Sequence, residues 1–299
     1  MKIPFAAFAA PLAALALAGC TTGSERERGV KVLMIGNSFS LCCMKHLPAV
    51  AAGLGVELDL ASLYIGGCSL KRHCENAARD GEKDFKPYQF NRSRFGAQSR
   101  SEINLCDALR LEKWDVVTVQ QASHESWKSE SYSPWGDNLV AKIRELAPTA
   151  KIFVQETWSY TPWDKRLARW GIDQNVMYEK LHAAYGAFAG RNRLGVVRFG
   201  TAVQRWREKL PVKYSENSLG GDVVGGGSQD ERDHFKRGAD NAWSANCDVF
   251  HLNRRGEYFQ ALVWATALFD ADLAELDYKP DFVTDAEARL MKEIAMDVK

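Results

Sequence analysis

Apolar residues along this chain fall into short runs separated by stretches of helical periodicity. Lys31 to Ile35 (KVLMI) is an apolar run ending at Gly36, as a buried parallel strand does. Val56 to Ile65, Asp115 to Gln121, Lys151 to Gln155 and Leu194 to Phe199 give four further strands, rich in β-branched residues. Between and after them, helical spacing marks Met44 to Leu54, Asn104 to Leu111, Asn138 to Leu146, Ile172 to Ala189, Thr201 to Lys209, Arg254 to Phe269 and Thr284 to Met296. Lys71 to Arg100 is polar without a sustained period and predicts a surface excursion. Tyr214 to Ala245 is glycine-rich and predicts a loop. Strands alternating with helices predict an α/β protein: a three-layer α/β/α sandwich around a five-stranded parallel sheet. No internal repeat or linker divides residues 29–299, so one domain is expected there.

The first residues follow a different pattern. Met1-Lys2 is a short positive start, Ile3 to Leu17 is almost wholly apolar, and Leu17-Ala18-Gly19-Cys20 follows. The run is too short to span a bilayer comfortably and reads as a signal peptide over residues 1–19. The tetrapeptide looks like a bacterial lipobox. It implies lipid attachment to Cys20, a tether over residues 20–28, and an exported protein anchored to the cell envelope. An ordinary secretory signal with a chance cysteine is the alternative. The remaining cysteines, Cys42, Cys43, Cys68, Cys74, Cys106 and Cys247, are even in number, so disulfides are expected. Cys68 and Cys74 are close enough to close a small loop.

Composition narrows the function classes. The 299 residues carry a formal net charge of +1 with no basic stripe, which argues against nucleic acid as a partner. Nine tryptophans suit either core packing or a stacking surface for sugars. Asp230 to His234 is a charge run in a polar loop, and no metal-binding motif or P-loop appears, so no metal or cofactor is expected.

In open parallel sheets, ligands bind beyond the carboxyl ends of the strands. The first strand runs into Gly36-Asn37-Ser38-Phe39-Ser40, which places a serine at a helix start. That position suits a nucleophile as well as an N-cap. Far along the chain, Asp248-Val249-Phe250-His251 places a carboxylate three residues before a histidine, close enough to orient the imidazole. Trp158, Tyr160 and Trp163 follow the fourth strand, as packing or as an aromatic wall.

Four segments together, GNSFS after the first strand, GGCSL after the second, QQASH after the third and DVFHLNRRG near the end, resemble the blocks of the SGNH (GDSL-like) hydrolase superfamily. The closest likeness is to an uncharacterised exported bacterial branch whose third block reads LQQxSH. The GxSxG elbow of the α/β-hydrolases is absent. The resemblance implies a flavodoxin-like fold and a serine esterase with Ser38 as nucleophile, His251 as general base and Asp248 as its orienter. It implies oxyanion donors at the backbone of Ser38 and Gly67. In place of the usual asparagine donor this chain offers His124, with Gln121 as the rival. Asn37, Gln121, His73 and Trp158 are the expected substrate contacts, and acylated carbohydrate is the expected substrate class. An acyltransferase using the same residues, or a glycan-binding lipoprotein without catalysis, are the other readings.

Overall fold

A computed structural model describes residues 29–210, 221–225, 235–237, 243–245 and 249–299. The strands are β1 (Val30–Gly36), β2 (Leu58–Tyr64), β3 (Tyr88–Arg94), β4 (Ala97–Ile103), β5 (Val116–Val119), β6 (Lys151–Gln155), β7 (Gly195–Val197), β8 (Phe235–Arg237) and β9 (Trp243–Ala245). The helices are α1 (Ser38–Leu41), α2 (Leu47–Gly53), α3 (Leu70–Ala77), α4 (Leu105–Leu111), α5 (Trp135–Leu146), α6 (Lys165–Trp170), α7 (Gln174–Asn192), α8 (Phe199–Lys209), α9 (Arg254–Phe269) and α10 (Asp285–Asp297).

The main sheet has seven strands in the order β4-β3-β2-β1-β5-β6-β7. Five of them, β2, β1, β5, β6 and β7, run parallel. Counted alone they are ordered second, first, third, fourth, fifth, the flavodoxin-type winding. Helices α3, α4, α5 and α7 form one packed group, and α2, α8, α9 and α10 the other. Val32, Leu33, Met34 and Ile35 of β1 are buried, as a strand covered on both faces requires.

The expected all-parallel sheet needs correction. Two antiparallel strands extend it, because β3 pairs with β2 and β4 with β3. They form from the polar stretch expected to be a surface excursion, which also contains α3. The reason is local. Tyr88, Phe90 and Ser93 are buried, while β4 is exposed along most of its length, so the ribbon has no continuous apolar period. A two-residue connection, Phe95 and Gly96, has φ of +49° and +89° and suits the twist of a tight hairpin. A second difference lies between β6 and α7, where the short helix α6 is capped by the Asp164 side chain.

The signal peptide, the tether, Cys20, Cys247, Asp248 and the 230–234 charge run lie outside the described residues, as does most of the 214–245 loop. Within that loop β8 and β9 form a small antiparallel pair. Residues 221–225 lie against the start of α9, with Val224 bridging Leu252. Gly256 permits this approach, since a side chain there would collide with Val223 O. Cys42, Cys43, Cys68, Cys74 and Cys106 are free thiols, so the Cys68–Cys74 loop is not closed. Cys68 is buried with Sγ 3.5 Å from His73 Nδ1, whereas Cys74 lies further along α3 and is half-buried.

Candidate active site

The turn that carries Ser38 begins where β1 ends. Gly36 has no room for a Cβ, which would collide with Ser40 Oγ and lie 3.1 Å from Gln120 Cδ. Asn37 caps α1, accepting from Phe39 N at 3.0 Å. The capping oxygen also accepts from Gln120 Nε2 at 2.6 Å, and Asn37 Nδ2 donates to Cys68 O at 3.1 Å. Asn37 is therefore a brace rather than the expected substrate contact, with 2% of its surface exposed. It joins the serine turn to the Gly67-Cys68 turn after β2, where Gly67 sits exposed at φ +59°. Behind Ser38, the Phe39 carbonyl accepts from Gln155 Nε2 at 3.0 Å and Gln260 Nε2 at 2.7 Å. The turn is thus held by side chains from β1's far neighbour β6 and from α9.

The histidine loop is secured carbonyl by carbonyl. Val249 O accepts from Thr161 N at 3.2 Å and Thr161 Oγ1 at 3.0 Å. Phe250 O accepts from Trp158 Nε1 at 2.7 Å, and His251 O from Gly225 N at 2.6 Å. Asn253 then caps α9, accepting from the amides of Arg255 and Gly256, both at 3.1 Å. Its own amide donates to Asp222 O at 2.8 Å. With both segments fixed, Ser38 Oγ lies 2.7 Å from His251 Nε2, a hydrogen bond between residues 213 apart in sequence. A serine hydroxyl on an imidazole nitrogen at this distance has the geometry for proton transfer from nucleophile to base.

The structure brings Ser38, His251, Asn37 and the Gly67 turn together and places the other expected residues elsewhere. Trp158 is fully buried, so it is not an aromatic wall. It stacks on Phe39 with centroids 4.1 Å apart and bonds Phe250 O, so it ties together the residues next to Ser38 and His251. Gln121 is fully buried and its amide is already occupied. Oε1 accepts from Leu70 N at 2.9 Å and Ala122 N at 2.8 Å, and Nε2 donates to Ser131 O and Oγ, both at 3.0 Å. It fastens the β5 loop to α3 and cannot double as an oxyanion donor. His124 stands exposed in the turn after β5. His73 is fully buried, its Nδ1 2.8 Å from Tyr88 Oη, and burial pushes its pKa down to about 3. That corrects the expectation of a substrate contact. His182 meets the buried Glu156 at 3.0 Å, and this carboxylate raises it above the ordinary histidine value.

Three glutamines, Gln120, Gln155 and Gln260, were not singled out by sequence, although each is buried and two hold the Phe39 carbonyl. For Gln120 a signal existed. Strand alternation places it on the same face as Thr118, whose register partner is Met34, two residues before Gly36.

Fold and site define an α/β protein that presents a serine–histidine pair beyond the carboxyl ends of a parallel sheet. The chain belongs to the DUF4886 family, described as a domain of unknown function, whose model matches residues 31–214. The crystal structure of a DUF4886 family protein from Bacteroides uniformis is 26% identical, with a TM-score of 0.73 over 91% of this chain and 95% of that one. A candidate SGNH hydrolase from Slackia heliotrinireducens is 20% identical, with a TM-score of 0.49 over 81% of this chain and 100% of that one. A family 3 carbohydrate esterase from Clostridium thermocellum is 12% identical, with a TM-score of 0.42 over 81% and 95%. None of the curated proteins matches the chain.

Proposed function

We propose that the protein is a serine ester hydrolase of the cell envelope that removes acetyl or other short acyl groups from carbohydrate. The observation that carries this reading is the 2.7 Å contact between Ser38 Oγ and His251 Nε2 at the strand ends. Ser38 Oγ attacks the ester carbonyl while His251 Nε2 takes its proton. Charge developing on the carbonyl oxygen is met by the amides of Ser38 and Gly67, which Asn37 holds together from behind. Losing one such donor typically costs about a hundredfold or more in rate. The tetrahedral adduct collapses, the alcohol leaves with the proton from His251, and the acyl group stays on Ser38. Water, deprotonated by the same histidine, then releases the acid. Asp248 is the orienting carboxylate in this scheme, by its place three residues before His251. A lipid on Cys20 would hold the enzyme at the membrane, where envelope glycans are within reach.

Initial rates on a chromogenic acetyl ester test the reading. The purified protein is expected to hydrolyse it, and Ser38→Ala to lose at least about a thousandfold in kcat. Equal rates in the two proteins would remove the serine mechanism. Transfer of the acetyl group to an added sugar alcohol, in preference to water, would make the protein an acyltransferase.

A further inference from the structure

One helical turn after Ser38, the chain passes a groove of about 440 Å³ between the α1–α2 segment and the β3–β4 ribbon. Leu41, Met44 and Lys45 form one wall, and Asn91, Gln98 and Arg100 the other. Asn91 and Arg100 are register partners across the ribbon, so their side chains share a face. Ser62, the partner of Asn91 on β2, belongs to that face too.

Two features of this groove point to a ligand. Asn91 Nδ2 is buried with no hydrogen-bond partner, although Asn91 Oδ1 accepts from Gln89 Nε2 at 2.6 Å. Ser62 Oγ, beside it on β2 and outside the groove lining, is likewise buried and without a partner. Interiors leave few such groups unmet, because each costs about 1–3 kcal/mol, so the Asn91 amide in the groove wall suits a ligand acceptor. The charge is one-sided: Lys45 and Arg100 line the groove and no Asp or Glu does, among the described residues. The ammonium of Lys45 is held by Glu257 at 2.7 Å and Arg92 turns its guanidinium to the other face, onto Asp59 and Glu112. Arg100, also exposed, lines the groove from the ribbon side.

We propose that this groove seats the alcohol part of the ester and that the alcohol is an acidic sugar unit. Its carboxylate meets Arg100, its ring hydroxyls meet Asn91 and Gln98, and its apolar ring face lies on Leu41 and Met44. The inference rests on the esterase reading of Ser38 and specifies its substrate.

The test compares an acetylated oligogalacturonide with an acetylated xylo-oligosaccharide of equal length, using the full chain and Arg100→Gln. The wild type is expected to show the lower KM for the acidic substrate. Arg100→Gln is expected to raise that KM about tenfold or more while leaving kcat, the neutral substrate and 4-nitrophenyl acetate unchanged. Equal KM values for the two sugars in the wild type, or an unchanged acidic KM in Arg100→Gln, would overturn the groove assignment and leave the esterase intact. Absence of hydrolysis on every ester would instead defeat the esterase reading. Calorimetric titration of unacetylated trigalacturonate then decides the groove separately: binding lost in Arg100→Gln supports the site, and no binding by the wild type removes it.

Discussion

Acidification offers a sharp test of how the β2–α3 region is built. His73 is fully buried, its Nδ1 bonds Tyr88 Oη at 2.8 Å, and its Nε2 has no partner. Desolvation disfavours the imidazolium, which is why the folded pKa falls to about 3. The unfolded chain binds this proton near pH 6.5, whereas the folded one does not until near pH 3. The contribution of neutral His73 is thus whole above pH 6.5 and is lost as pH falls through the window between those values. Each unit of pH below 6.5 costs about 1.4 kcal/mol, which gives about 2 kcal/mol between pH 8 and pH 5. Carboxylates held low by ion pairs, such as Glu112 at about 2 beside Lys31 and Arg92, lose their share only at lower pH. His46 is also lowered by burial and adds a slope of the same sign. His182, raised by Glu156, acts in the opposite sense, its contribution being lost as pH rises through its folded value. Comparison with His73→Phe cancels both. The substitution preserves stacking on Tyr88, whose hydroxyl keeps Asn76 Nδ2 at 3.1 Å. Urea unfolding at pH 8, 7, 6 and 5 should show the wild type losing about 2 kcal/mol more than the variant. Parallel losses in the two proteins would refute the reasoning.

Two further outcomes follow from the packing. Trp158→Phe keeps an aromatic ring against Phe39 but removes the donor to Phe250 O, so kcat on an acetyl ester should fall about tenfold with KM little changed, as expected for a displaced base. Arg92→Met strips the fully buried Asp59 of its main partner, and thermal or urea unfolding should report a loss of about 3–5 kcal/mol.

The five parallel strands were legible because each is an apolar run closed by a turn signal, and burial on both faces leaves that mark in sequence. The β3–β4 ribbon was not. Its outer strand, AQSRSEI, is exposed along most of its length, and its Phe-Gly connection lacks the Asn-Gly or Asp-Gly pair that advertises a tight hairpin. Ser38 and His251 stood out as chemistry-bearing residues at strand ends and are found in contact. The supporting amides were less visible, since a buried glutamine bonding a carbonyl from another element has no local signature. Asn37, Gln121, His73 and Trp158 were singled out by their types and neighbours, yet all four face inward as ties. Residue type alone does not distinguish a group aimed at a ligand from one aimed at the backbone.

The sequence separation of 213 between Ser38 and His251 also bears on how the protein comes into being. As the chain is made, the serine emerges with β1, while its partner and the α9 glutamine that secures the Phe39 carbonyl come in the last fifth. Contacts of such long sequence separation form late, after the loop entropy between them has been overcome. An unfinished chain, or one whose final helices have not docked, carries a serine with no histidine beside it. Completion of folding is thereby the event that gives Ser38 its histidine partner.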